Sequence, residues 1–198
     1  MVQHLDTLRE TASQTAGPYV HIGCMPSFVG MALYDSDLGP DPVDPEAKGE
    51  HVTITGSIHD GTGWALRDAM IESWQPDAAG RFAGEEGADP AVRGFCRFAA
   101  DGESGEFTLR TVKPGATRLR DGRMQAPHIS LWIVARGVNL GLQTRIYFED
   151  EDNSADPLLA RIEQRHRVDT LLARKVAEGE YRFDIRLQGE GETVFLDI

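Results

Sequence analysis

The sequence predicts an all-β protein, a β-sandwich with long loops and short helical segments. Runs rich in β-branched, aromatic and aliphatic residues recur along the chain. Several runs alternate apolar and polar positions, as half-buried strands do, and turn residues bound them at short intervals. Helical patterns are few, so seven or eight strands at this spacing favour a sandwich.

The predicted strands lie in the chain after residue 50. They span residues 52–58, 69–75, 95–99, 106–112, 128–134, 143–148, 181–187 and 193–198. Turn signals predict two local pairings: the first two strands as a hairpin-like pair after Asp60, and the third and fourth strands around Asp101. Long loops are expected at residues 35–49 and 76–94.

Helical pieces are expected only near the two ends of the chain. Residues 4–11 could form a turn or two of helix, and short pieces are predicted at 157–163 and 167–173. Pro18 and the glycine before it prevent the first helix from continuing. Residues 13–20 should therefore form an extended or turned arm.

The two strands at residues 128–134 and 143–148 organise the rest of the chain. Arg136 interrupts the apolar pattern between them, so a guanidinium lies where a strand meets a turn, a common place for binding groups. His128 and Ser130 point to the same side of the first strand. A lone serine hydroxyl is a poor ligand for a transition metal, so this strand cannot supply two histidine ligands.

Size and composition favour one domain and restrict the partners. A chain of 198 residues with 40% hydrophobic content supports a single domain over residues 1–198, with an arm and loop at 1–50 and the sandwich at 51–198. The net charge of −12 argues against nucleic-acid binding. Cys24 and Cys96 form no CxxC spacing and suit a reducing compartment. No membrane span or signal peptide is evident, so a cytoplasmic protein is expected.

Several segments resemble the intradiol ring-cleaving dioxygenases over nearly the whole chain. The matching segments are ITGSIHD (54–60), AMIESWQ (69–75), GRF (80–82), TVKPG (111–115) and APHIS (126–130). Residues 13–19, 135–137 and 182–193 resemble the α-type subunit of that family. The resemblance implies the family's sandwich fold and its reaction, in which O2 cleaves a catecholate bound to Fe(III) held by two tyrosinates and two histidines. Hard phenolate oxygens favour the ferric state.

Carried over by position, the family's iron ligands are mostly missing. The first tyrosine falls at Phe82 and the second near Thr117, while the histidines fall at His128 and Ser130. We therefore expect a vestigial site that binds no metal, with His128 as a hydrogen-bonded structural residue. The resemblance then implies that Fe(III) is held by a partner β subunit, and that this chain alone is inactive.

The same resemblance assigns a substrate-binding role to Arg136. It is similar to an α-chain arginine that reaches the partner's iron pocket, where a guanidinium can pair with a substrate carboxylate. The expected substrates are the carboxylated catechol protocatechuate and O2, in a higher-order αβ oligomer contacted by the arm. The residues expected to line the same pocket are Thr15, Gly17, Pro18 and Tyr19.

Two other functions compete with that of a non-catalytic subunit. One is a stand-alone β-sandwich that binds a small ligand without catalysis. The other is an enzyme acting alone with His128 as general base, but no carboxylate or nucleophile lies at a motif spacing to it.

Overall fold

A computed structural model describes residues 15–17, 19–35, 39–139 and 141–197. Within them lie eleven strands: β1 (His51–His59), β2 (Met70–Trp74), β3 (Phe95–Ala99), β4 (Glu106–Val112), β5 (Thr117–Arg118), β6 (Met124–Gln125), β7 (His128–Val134), β8 (Leu142–Phe148), β9 (Leu172–Ala177), β10 (Glu180–Arg182) and β11 (Ile185–Arg186). One α-helix, α1 (Tyr19–Cys24), and 3₁₀ helices at Pro26–Val29, Leu159–Arg161 and Arg165–Leu171 complete the described elements. The helix predicted at residues 4–11 lies outside them.

Nine of these strands form one continuous sheet that folds over on itself. Its pairing order is β3-β2-β7-β8-β9-β10-β1, with β4 on the other side of β1 and β11 pairing with the end of β1. Strand β9 is parallel to β8 and antiparallel to β10, so it joins the two halves of the sheet. The predicted all-β sandwich is confirmed.

The core lies between the two halves of the sheet. Ile54 on β1 and Leu109 on β4 belong to the same buried cluster as Ile71, Ile133 and Ile146 from the opposite half. Strand β4 alternates buried and exposed residues along most of its length, which is the pattern of a strand with one face on a core. Burying each large aliphatic side chain contributes about 1.5–3 kcal/mol.

The structure confirms the central strand pair and corrects the two predicted local pairings. Strands β7 and β8 are antiparallel neighbours. However, β1 pairs with β4, and β2 pairs with β3. The turns after Asp60 and Asp101 do form, with backbone bonds from Asp60 N–H to Trp64 and from Asp101 N–H to Glu106. After each turn the chain crosses to the other half of the sheet, and the turn residues alone carry no signal for that crossing.

The prediction of one strand over residues 181–187 is wrong, because Phe183 and Asp184 separate β10 from β11. The Asp184 carboxylate accepts a hydrogen bond from the Ser57 backbone N–H at 3.0 Å. The Asp184 side chain therefore accepts a bond that a neighbouring strand's backbone would otherwise accept. The backbone hydrogen bonding between β1 and the segment after β10 is interrupted there.

The predicted last strand is also wrong over its described part, residues 193–197. This segment is held by single bonds, such as that from Leu196 N–H to the Gln143 carbonyl at 2.8 Å, and not by a ladder. Strand β9 was missed because its apolar residues do not follow its buried face: Val176 is exposed, and only Ala173 is fully buried, so no alternation marks the strand. The two C-terminal helical pieces are confirmed as 3₁₀ turns: the first is two residues shorter at each end than predicted, and the second lies two residues earlier.

A smaller apolar cluster attaches the C-terminal 3₁₀ helices to the central strands. Leu159 and Leu171 pack with Ala126 and Tyr147. This packing places the 3₁₀ helices beside the start of β7, where His128 lies. No helix among the described residues is long and apolar enough to cross a membrane.

Candidate functional site

Strand β7 separates two regions of interest. His128 begins the strand, and Arg136 lies two residues beyond its end at Val134. A seven-residue strand spans roughly 20 Å. The vestigial iron position and the predicted substrate arginine therefore lie at opposite ends of one rigid strand.

His128 is a buried, neutral structural histidine in this geometry. Its side chain is 3% exposed, and its Nδ1 lies 2.8 Å from the Ala126 carbonyl, so Nδ1 carries the proton and donates it. Its ring packs 5.5 Å from that of Tyr147. Burial, and then the nearby Arg145, lower the pKa of His128 from 6.5 to about 4. The imidazole is therefore held uncharged at neutral pH.

A buried network connects Arg145, Tyr147 and Asp156 beside His128. Arg145 donates from Nη1 to the Tyr147 hydroxyl, and that hydroxyl donates to Asp156, each at 3.3 Å. Asp156 also accepts the backbone N–H groups of Ala126, Leu158 and Leu159, at 2.8–3.0 Å. Burial is the main reason that the pKa of Tyr147 is raised to about 12. The Tyr147 phenol is therefore protonated at neutral pH, and its hydroxyl serves the hydrogen bonding of the fold.

Arg145 is the residue of this region that sequence reasoning missed. It pairs with Ser130 across β7 and β8, directly opposite the position where the family pattern expects the second histidine. The signal was present in the sequence, because Arg145 is a charged residue inside a predicted strand and directly before the run Ile146 to Phe148. A buried cation in such a strand needs a partner.

The other two vestigial positions are filled by groups without metal-binding chemistry. The Phe82 ring stacks on Trp74, with ring centres 5.8 Å apart and planes 8° apart. Trp74 is the register partner of Ser130. Thr117 is buried on β5 opposite Gln125. Phe82 therefore lies near Ser130, because Trp74 contacts Phe82 and pairs with Ser130 in the sheet. Thr117 lies on the short hairpin that leads into β7.

These residues do not fit a ferric ion. Phe82 has no oxygen, Ser130 offers only a neutral hydroxyl, and the positive charge of Arg145 near His128 opposes a cation there. Among the described residues no group of three or more His, Cys, Asp or Glu side chains could hold a metal. Ferric iron prefers anionic oxygen donors. The nearby Tyr147 phenol is protonated, and the Asp156 carboxylate already accepts three backbone N–H groups.

At the other end of β7, the structure brings Arg136 together with part of the N-terminal arm. The Arg136 side chain is 72% exposed, and its Nε lies 3.1 Å from Asp68. The Thr15 hydroxyl accepts the Gly137 backbone N–H at 2.8 Å. Gly17 has open space around it, and Tyr19 is 80% exposed. Pro18 lies outside the described residues.

Seven of the twelve exposed large hydrophobic side chains found in the described parts of the chain lie within residues 19–34. We call these seven the arm surface: Tyr19, Ile22, Phe28, Val29, Met31, Leu33 and Tyr34. Such a concentration of exposed apolar groups is typical of a surface that another protein covers. It begins directly after the residues that reach the Arg136 turn.

Comparison with known proteins agrees with this geometry. The family model "Dioxygenase" matches residues 24–189, and the chain belongs to this dioxygenase family. It is 44% identical to the protocatechuate 3,4-dioxygenase alpha chain of Pseudomonas putida, covering 98% of each chain. It is 40% identical to the alpha chain of Burkholderia cepacia, over 98% of this chain and all of the relative. The resemblance found in the sequence is confirmed.

Three further comparisons concern a beta-type chain and the fold. The chain is 30% identical to the protocatechuate 3,4-dioxygenase beta chain of Burkholderia cepacia, over 80% of this chain and 74% of that one. The crystal structure of 3-chlorocatechol 1,2-dioxygenase from Rhodococcus opacus matches with a TM-score of 0.58 and 21% identity, covering 77% of this chain and 68% of that one. An intradiol ring-cleavage dioxygenase from Tetranychus urticae also has a TM-score of 0.58, at 16% identity, over 78% and 88% of the two chains. The last two likenesses show the shared fold.

Proposed function

We propose that this chain is the non-iron-binding alpha subunit of a protocatechuate 3,4-dioxygenase. The observation that carries the proposal is the similarity to alpha chains over nearly the entire length. The assembled enzyme would be an oxidoreductase that cleaves protocatechuate with O2, between its two hydroxylated carbons, to 3-carboxy-cis,cis-muconate. Both oxygen atoms enter the product.

The iron of this assembly would be held by the beta subunit. Support comes from the donor chemistry, since Phe82, Thr117 and Ser130 cannot replace two phenolates and an imidazole. A beta-type relative that is 30% identical makes the two subunits homologous copies of one fold. The beta subunit would hold the metal, and this chain would supply part of the wall of the substrate pocket.

The role of this chain would be to complete the substrate pocket of its partner. Arg136 would exchange its exposed contact with Asp68 for paired hydrogen bonds to the carboxylate of protocatechuate. Thr15, Gly17, Pro18 and Tyr19 would line the pocket beside it, and the bond from Gly137 to Thr15 supports this placement. The arm surface would pack on the partner chain, as part of the segment 1–50.

The assembly would work in the cytoplasm. Cys24 and Cys96 are free thiols, and burial raises the pKa of Cys96 to about 12, so that thiol is inert. Unpaired cysteines suit a reducing compartment.

Co-expression with a beta chain tests the proposal. The prediction is that an affinity tag on this chain alone co-purifies the beta chain, and that only the complex is coloured by ferric iron and cleaves protocatechuate. The control replaces Phe28 and Met31 of the arm surface with serine, which should weaken the association without unfolding the sandwich, since both are about 40% exposed. A stable, colourless chain that never associates with a beta chain would support the ligand-binding alternative instead.

A further inference from the structure

A cavity of about 480 Å³ lies beside the start of β7 and is lined by an unusual number of arginines. Its polar lining consists of Arg120, Asp121, Arg123, Gln125, Arg145 and Arg161, which we call the arginine pocket. Small-molecule sites have volumes of about 300–1,000 Å³, so the pocket is large enough for a ligand.

The guanidinium of Arg145 is buried but forms no ion pair within the described residues. Arg145 is only 9% exposed, and among the described residues its buried Nε has no hydrogen-bond partner. Within the same residues its side chain forms one hydrogen bond, from Nη1 to the neutral hydroxyl of Tyr147 at 3.3 Å, and only that hydroxyl links it to the Asp156 carboxylate. A buried charge is costly unless a counter-charge or good hydrogen bonds compensate it. The geometry therefore points to an anion that would satisfy this side chain.

The charge balance of the pocket is also positive. Its single carboxylate, Asp121, already receives two bonds from the Arg123 guanidinium, at 2.9 and 2.6 Å. Arg120 and Arg161 are exposed and form no ion pair within the described parts of the chain. Four arginines against one aspartate is a local excess in a chain whose net charge is −12. A concave site of one sign attracts small ions of the opposite sign.

The remaining wall of the pocket is apolar. Leu119, Pro157 and Leu158 line it together with the arginines. An inorganic anion makes no use of such a wall, whereas the ring or hydrocarbon body of an organic acid can pack against it. Both halves of the lining therefore favour a small carboxylate that carries an apolar body.

We propose that the arginine pocket binds a small organic carboxylate of about the size of benzoate. Arg145 donates to the carboxylate from the wall of the pocket, Arg161 and Arg120 attract it at the rim, and Leu119 and Leu158 contact its body. The proposal concerns residues of this chain alone and does not depend on the proposed function.

Binding of 4-fluorobenzoate to the isolated full-length chain, followed by fluorine NMR and calorimetry, tests the proposal. We expect saturable binding with one site per chain. The variant R145Q should weaken the binding at least tenfold, and R161Q should weaken it about threefold. The matched control is R110Q, since Arg110 is an exposed arginine on β4 in the other half of the sheet.

The possible results separate clearly. Absence of saturable binding to the wild-type chain, or equal affinity of wild type and R161Q, overturns the proposal. Binding of inorganic phosphate with no binding of 4-fluorobenzoate also overturns it, because the apolar wall would then be unused. If R145Q fails to fold by circular dichroism, the double variant R120Q/R161Q decides, since both side chains are exposed.

Discussion

Ser130 and Phe82 show how few side chains separate a metal site from a structural one. Each occupies a position where the family pattern places an iron ligand, and each still packs within the fold, Phe82 on Trp74 and Ser130 opposite Arg145. Arg145 places a positive charge near His128. We predict that the fold is kept in this chain while the metal chemistry is lost.

At the other end of β7, replacing Arg136 should damage substrate binding selectively. In the αβ complex, R136Q should raise KM for protocatechuate about tenfold, because a charge-assisted pair to a carboxylate contributes about 1.5–3 kcal/mol and this side chain is largely exposed. The iron content should not change. Steady-state kinetics with protocatechuate measure the effect.

The control for this change is R93Q. Arg93 is also a half-exposed surface arginine with a carboxylate partner, Asp44 at 2.6 Å, but it lies in a loop before β3. Equal kinetics for R136Q and R93Q would remove Arg136 from the substrate pocket.

His128 should make the stability of the chain depend on pH in a defined window. Its pKa in the folded state is about 4, against 6.5 when unfolded, so the unfolded state binds the extra proton between these values. The stabilisation is complete above pH 6.5 and is lost as the pH falls towards 4, a change of roughly 3 kcal/mol.

Urea unfolding at a series of pH values measures this contribution. H128Q should flatten the decline in the free energy of unfolding between pH 6.5 and 4, whereas H166Q, at an exposed histidine, should leave it as in the wild type. Identical slopes for H128Q and wild type would mean that His128 is not held neutral by the fold.

At the scale of elements, Gly56 shows how closely β1 is packed. A Cβ atom at this position would lie 1.9 Å from the Phe183 carbonyl oxygen and 2.6 Å from the Phe107 ring. Backbone cannot move aside cheaply, so G56A should lower the free energy of unfolding by about 3 kcal/mol, measured by urea denaturation. G102A is the matched control, since nothing lies within 4 Å of its added Cβ, and it should change stability by less than about 0.5 kcal/mol.

The strands were predictable from sequence where their signal was local. The bounds of β7 and the partner strand β8 follow from apolar runs and a turn, and both are confirmed. The antiparallel pairing of β1 with β4 and its parallel pairing with β10 were not predictable, because both depend on contacts between residues far apart in the chain. The break between β10 and β11 depends on one side-chain bond, from Ser57 to Asp184, which no periodicity reveals.

In the candidate site, too, some features could be predicted from the sequence and others could not. Placing Phe82 and Ser130 at ligand positions required the family resemblance, because loss of a ligand is visible only against a pattern. The contact between Thr15 and Gly137 joins residues far apart in sequence, and only the folded chain shows it. Arg145 could have been noticed as a charge inside a predicted strand, but its lack of an ion pair among the described residues could not.

At the scale of the whole molecule, charge and apolar surface are arranged for assembly. The chain carries a net charge of −12, yet its exposed hydrophobic side chains concentrate on the arm surface, between Tyr19 and Tyr34. An acidic surface keeps a chain soluble, and an apolar patch on it marks where a partner excludes water. The arm also leads to Arg136, so association and substrate binding would be coupled.

The most direct test of this account is the location of the iron. The isolated chain, incubated with ferric iron and desalted, should retain none by mass spectrometry of the metal, and the αβ complex should contain iron in proportion to its beta chain. H128Q in this chain should leave the iron content of the complex unchanged. Iron bound stoichiometrically to the isolated wild-type chain, and lost in H128Q, would contradict the account.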